Sequence, residues 1–116
     1  MPTERPAQRL RDILDNSARI CAYTGDLTRD QFAADQRTVD AVERCFERIC
    51  EAARKLGDAY DARYPDLGLP ELRRFGSKLR HDYGDIDPLR MWAFRRRLGD
   101  LEAFARSELE RLDDGS

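Results

Sequence analysis

The stretch that decides the fold is Gln36-Arg-Thr-Val39-Asp-Ala-Val42-Glu-Arg-Cys45-Phe46-Glu-Arg-Ile49-Cys50-Glu-Ala-Ala53-Arg-Lys-Leu56-Gly-Asp-Ala-Tyr60-Asp-Ala-Arg63. Val39, Val42, Phe46, Ile49, Ala53, Leu56 and Tyr60 follow one another in steps of three and four. That spacing puts them on one stripe of an α-helix, while the charged residues between them face outward. It predicts a long helix over residues 36–63 with a seam like that of a coiled coil. The plainest use of such a seam is the core of a bundle.

The same period runs outward in both directions. Leu10, Ile13, Leu14, Ser17, Ala18 and Cys21 mark the inner face of a helix over residues 6–24, which ends at Gly25-Asp26. Thr28-Arg-Asp-Gln31 reads as a capping box opening a short helix that carries Phe32. Pro65, Gly68 and Pro70 form a loop, and a helix over residues 70–81 follows. Asp87 is placed as an N-cap and Pro88 as the first residue of a helix with Leu89, Trp92, Phe94 and Leu98. Gly99-Asp100 bends or interrupts that helix before Leu101, Phe104, Ala105, Leu109 and Leu112 give a final amphipathic stretch. No strand signal and no repeat occurs. The chain therefore reads as one all-α domain over residues 1–116. It is an antiparallel up-and-down bundle of four to five helices with an ordered core over residues 8–112.

Composition narrows the class. Of 116 residues, 38% are charged and 41% hydrophobic, and no apolar run approaches a membrane span. The first residues, Met-Pro-Thr-Glu-Arg-Pro, have no apolar signal-peptide core, so the reading is cytoplasmic and not membrane-bound. Cys21, Cys45 and Cys50 read as reduced thiols packed as small apolar groups. One histidine and no CxxC leave too few ligands for a zinc site, so no metal or cofactor is called for.

The net charge of −2 hides a segregation. Residues 73–97 hold eight basic residues against three acidic ones, a net of +5. The rest of the chain has 13 basic and 20 acidic residues, a net of −7. A local basic segment suits a polyanion or an acidic partner. Inside it lies Arg73-Arg74-Phe-Gly-Ser-Lys78-Leu-Arg80-His81-Asp82-Tyr83, with the only histidine of the sequence. Histidine takes and gives protons near neutrality, and arginine is the planar cation suited to phosphate. On structural grounds alone, His81 is a cation at a helix C-terminus, Tyr83 an aromatic clamping the turn before Pro88, Asp82, Asp85 and Asp87 turn and cap residues, and Trp92 core.

Leu10-Arg-Asp-Ile-Leu14, Ile49-Cys-Glu-Ala-Ala-Arg-Lys-Leu56 and Leu79-Arg-His81-Asp-Tyr83, followed by Ile86-Asp87 and Trp92, together resemble the HepT-like group of the HEPN superfamily over residues 8–112. The resemblance implies a homodimeric helical bundle with a metal-independent endoribonuclease site between protomers. It implies a toxin of a toxin–antitoxin pair, silenced when a minimal nucleotidyltransferase antitoxin of the MntA type adenylylates a tyrosine. The motif is an arginine, four to six residues, a histidine and, two residues later, the tyrosine. These match His81 and Tyr83. The usual Arg-Asn pair falls on Gly76 and Ser77, and Arg74, with six residues intervening, fits the looser spacing. A seven-residue step returns to within about 20° on a helix, so Arg74, Lys78 and His81 share a stripe from which Arg80 is excluded.

The implied catalytic pair is His81 and Arg74, with Lys78, Arg80 and Arg73 as further phosphate-binding cations and Tyr83 as the modification target. His81 would take the ribose 2′-hydroxyl proton for transesterification of RNA, and Arg74 would stabilise the charge on phosphorus. Gly76 and Ser77 leave a second reading open, a catalytically weakened module that docks and regulates a nucleotidyltransferase. A third is a scaffolding bundle whose basic segment pairs with acidic helices.

Overall fold

A computed structural model describes the backbone over residues 5–81 and 87–114, and side chains over residues 5–77 and 87–113. Among these residues the chain is all-helical: α1 Pro6–Thr24, α2 Arg29–Ala34, α3 Gln36–Leu56, α4 Leu69–His81, α5 Pro88–Phe94, a 3-10 turn Arg95–Arg97, and α6 Leu98–Asp114. The four long helices lie side by side in the order α6, α1, α3, α4, and the short α2 and α5 pack on each other and on α3. The result is an all-α helical bundle.

The α3 seam is core as its spacing predicts: Val39, Val42, Phe46, Ile49, Ala53 and Leu56 are all buried. The helix is shorter than expected, however. It ends at Leu56 because Gly57 takes φ 73°, a conformation that glycine reaches without strain. Tyr60 keeps the period but lies in the following turn, where its ring meets Phe104 of α6 edge-on at 5.6 Å. Burying these side chains drives assembly, at about 25 cal/mol per Å² of apolar surface removed from water.

α1 is rotated from the expected face. Leu10, Ile13, Ser17, Ile20 and Thr24 are buried, while Ala18 and Cys21 face outward. Cys45 and Cys50 pack inside as expected, but Cys21 is exposed. The capping box forms: the Thr28 hydroxyl accepts from the Gln31 amide at 3.2 Å, and Gln31 Oε1 accepts from the Thr28 amide at 2.9 Å. Asp87 caps α5 by accepting from Leu89 N at 2.9 Å, with Pro88 in the first turn. The break before α6 falls at Arg95–Arg97, and Gly99 lies inside the helix.

The connection between α3 and α4 is clamped on two sides. Glu108 of α6, only 3% exposed, accepts from Arg63 Nη1 at 2.5 Å and from the Tyr64 hydroxyl at 2.7 Å. Arg111 Nε lies 3.1 Å from the same carboxylate. From the other side, Arg73 of α4 donates to both Asp61 oxygens, at 3.1 and 2.6 Å, and to the Gly57 carbonyl at 3.0 Å. A buried carboxylate with several donors is satisfied, whereas one left alone would be costly.

Candidate functional site

α4 carries the histidine motif, and its faces differ in use. Leu69, Leu72 and Gly76 turn inward onto α3. Position 76 has no room: a Cβ there would fall 2.7 Å from Cys50 Cβ. An arginine at this place would force α4 off α3. The position that commonly holds the arginine in the group resembled is therefore a helix–helix contact in this chain.

Arg73 and Arg74 adjoin in sequence and diverge in space. Arg73 is occupied by Asp61 and the Gly57 carbonyl, and hydrogen bonding to Asp61 raises its pKa above the ordinary arginine value. Arg74 is exposed and has no carboxylate partner among the described residues. α4 stays helical through His81, so positions 74, 78 and 81 fall on one stripe of continuous backbone. The side chains of Lys78, Arg80 and His81, and Tyr83 altogether, lie outside the described residues, as do Asp82 and Asp85.

Arg74 borders a groove of about 510 Å³ between α4 and α5, lined also by Glu71, Phe75, Arg90, Ala93, Phe94 and Arg97. Its floor is aromatic. Phe75 and Phe94 stack at 5.9 Å with their planes 8° apart, and Phe46 meets Phe94 edge-on at 4.9 Å from below. Arg97 Nη1 donates to Glu71 Oε2 at 2.9 Å, and its guanidinium lies 5.6 Å from the Phe94 ring centre. On the other flank of α5, Arg95 sits 4.0 Å over the Trp92 ring and donates to Thr24 Oγ1 at 2.9 Å. Trp92 is half-buried, with Phe32 at 5.4 Å, so it is only partly the core residue that its spacing suggests.

Arg90, Arg97, Phe75 and Phe94 have no part in the motif reading. The charge count over residues 73–97 contained the signal for the arginines. Nothing in a linear count brings α5 against α4, because that needs the packing of Phe75 on Phe94.

Among the described residues, then, an all-helical bundle sets a basic helix that ends at His81 beside an arginine-lined groove. The chain belongs to the HepT-like ribonuclease family, whose description, Ribonuclease HepT-like, matches residues 13–108. A Methanocaldococcus jannaschii protein whose name marks it as a candidate RNase is 35% identical over 92 residues, covering 79% of this chain and 76% of the relative. A second from the same organism, named in the same way, is 34% identical over 83 residues, 72% of each chain. A Thermococcus cleftensis protein named as a ribonuclease HepT on the basis of probability is 29% identical over 83 residues, covering 72% of this chain and 76% of the relative. No solved structure matches. Among the described residues no helix is long and apolar enough to cross a membrane.

Proposed function

We propose that this protein is the toxin of a type VII-like toxin–antitoxin pair: a cytoplasmic, homodimeric, metal-independent endoribonuclease silenced by adenylylation of Tyr83. The observation that carries the reading is the exposed Arg74 on the same helical stripe as position 81, beside an arginine-lined groove, in a chain of the HepT-like ribonuclease family.

His81 accepts the proton of a ribose 2′-hydroxyl, and that oxygen attacks the adjacent phosphorus. Arg74, with Lys78, stabilises the added charge on the phosphorane. The bond from phosphorus to the 5′-oxygen breaks, and that oxygen takes a proton from the partner subunit's His81. The products are a 2′,3′-cyclic phosphate and a 5′-hydroxyl. DNA lacks the 2′-hydroxyl nucleophile and is not cut. A nucleotidyltransferase antitoxin places adenylate on Tyr83, two residues from His81. The added phosphate and bulk occupy the place of the RNA phosphate and repel it.

The experiment is cleavage of single-stranded RNA by purified dimer, with folded His81→Ala as control and chemical mapping of the new ends. Loss of cleavage in His81→Ala with cyclic phosphate ends supports the reading; equal cleavage by that variant overturns it. Intact mass of protein coexpressed with its nucleotidyltransferase tests the regulation, which fails if Tyr83→Phe is adenylylated as before. Growth arrest by the protein alone, relieved by His81→Ala, tests the toxin role.

The contact at Gly76 favours a second reading, in which the protein is a catalytically weakened module that docks a nucleotidyltransferase. Slow cleavage by the unaltered protein that is insensitive to Arg74→Ala, together with tight binding of the enzyme partner, selects it.

A further inference from the structure

Beyond Arg74, the groove between α4 and α5 has a chemistry that the histidine motif does not use. Its walls are the guanidinium groups of Arg74, Arg90 and Arg97, and its floor is the stacked pair Phe75 and Phe94. Its volume of about 510 Å³ is within the range of small-ligand sites. Among the described residues only one carboxylate, Glu71, faces these three arginines, and it pairs with Arg97. Arg74 and Arg90 have no carboxylate partner among the described residues. Many arginines elsewhere on the bundle do, such as Arg44 with Glu47, Arg54 with Glu51, Arg63 with Glu108 and Arg106 with Glu102, whereas Arg19 and Arg48 do not among the described residues. Among the described residues Arg74 and Arg90 thus line one groove without an acid of their own, a positive local field that suits an external anion.

An anion alone would not need the aromatic floor. A nucleotide of a single strand offers both parts: a phosphate for the guanidinium groups, and an unstacked base for the flat apolar surface and the planes of the arginines. A duplex keeps its bases inside and cannot use the floor. The other flank of α5 repeats the combination on a smaller scale, with Arg29, Arg95, Arg96 and Trp92 around a second hollow that shares Ala93. Basic and aromatic surface thus runs across both sides of α5.

We propose that the α4–α5 groove is a substrate subsite that holds a nucleotide of single-stranded RNA next to the cleaved bond, with Arg90 and Arg97 as phosphate ligands and Phe75 and Phe94 as the surface for a base. This rests on the ribonuclease reading above. Positions 74 and 81 are about 10 Å apart along α4, from a rise of 1.5 Å per residue, so Arg74 stands where the reacting phosphate meets the groove, which extends from there toward Arg90 and Arg97. Arg90 and Arg97 bind and orient the strand and take no part in proton transfer. Glu71 opposes binding, because it engages Arg97 and repels phosphate.

The test uses the full-length His81→Ala protein, which leaves RNA intact, and a fluorescein-labelled oligouridylate of about a dozen nucleotides, within the site sizes of single-strand binders. Anisotropy titrations over a range of salt give affinity and salt slope. Arg90→Ala should lower the slope of log K against log salt by about 0.7, the value for one phosphate contact on a single strand, and Arg90→Ala/Arg97→Ala by about twice that. Arg90→Glu should weaken binding more than tenfold, and Glu71→Gln should tighten it. Unchanged affinity and slope in Arg90→Ala and Arg90→Glu, with circular dichroism unaltered, overturn the subsite. A change of oligomeric state in Arg90→Glu with RNA binding intact also overturns it, since the groove would then be a protein interface. Cleavage by the protein with His81 present is read separately. Arg90-dependent binding without any cleavage keeps the groove as a single-strand binding site and sinks the ribonuclease reading. His81-dependent cleavage with Arg90-independent binding does the reverse.

Discussion

The Cβ that Gly76 lacks would lie 2.7 Å from the Cβ of Cys50, so α4 and α3 meet there with only the Cys50 side chain between them. Gly76→Ala should destabilise the bundle by about 1–2 kcal/mol, the strain of overpacking less the helix propensity that alanine restores. Gly76→Arg, which reinstates the arginine common at this place in the family, should cost far more and should not raise cleavage. Urea unfolding of both variants checks this. A Gly76→Arg protein as stable as the unaltered chain would contradict the contact.

Arg73 and Arg74 should separate stability from activity. Arg73 ties α4 to Asp61 and the Gly57 carbonyl, and Arg73→Ala should lower stability by about 1–2 kcal/mol. Arg74 is exposed, and Arg74→Ala should change stability by less than about 0.5 kcal/mol while removing most cleavage. Arg74→Lys should recover only part of it, because an ammonium cannot make the two-pronged phosphate contact. Thermal melts and single-turnover cleavage on the same preparations give both readouts. Full cleavage by Arg74→Ala would remove the arginine from the mechanism.

Glu108 anchors the α3–α4 connection to α6 through Arg63 and Tyr64. Glu108→Gln keeps the shape and removes the charge that these donors share, so it should cost about 2 kcal/mol. Tyr64→Phe should cost less, about 1 kcal/mol, since the carboxylate keeps its arginines. Denaturant titrations decide the order, and a Tyr64→Phe loss larger than that of Glu108→Gln would reverse the assignment of the anchor.

Glu43 should respond to pH in the opposite sense to a paired carboxylate. Burial, with repulsion from Glu47 and Asp40 on the same helix, raises its pKa above the ordinary glutamate value. The charged form is thus disfavoured in the folded state, and the penalty is present above the raised pKa. It vanishes as pH falls below the unfolded value, where both states are protonated. Glu43→Gln should raise Tm at pH 7 by about 1–2 °C, from a like-charge pair worth about 0.3 kcal/mol. The gain should close as pH approaches 4. A gain independent of pH would place its origin in packing.

Helix existence and most caps were legible from period and punctuation, because burial and capping act through residues near in sequence. Thr28 with Gln31 and Asp87 with Pro88 are such cases. The end of α3 was not, since Tyr60 continues the apolar period and only the conformation of Gly57 breaks it. The face of α1 is not legible in the sequence, because Leu14, Ala18 and Cys21 fit a stripe next to the true one and the choice between them is made by α3 and α6. For the site, Arg74 and its stripe were readable from helical register. The different fates of Arg73 and Arg74, and the joining of Arg90 and Arg97 to Arg74, depend on contacts between segments far apart in the chain.

α1 lies between α3 and α6 and is the main partner of each. α3 and α6 therefore both depend on α1 for their packing. Loss of α6 would strip one flank of α1, and loss of α1 would leave α6 without its chief neighbour. Amide hydrogens in the middle of α1, α3 and α6 should then exchange through one global opening, with a common free energy and a common denaturant dependence. α2 and α5 are short and pack on each other and on α3, and should open at lower cost. Rigidity would thus be concentrated in α1, α3 and α6, and the wall of the groove that α5 supplies would belong to the more yielding part of the molecule.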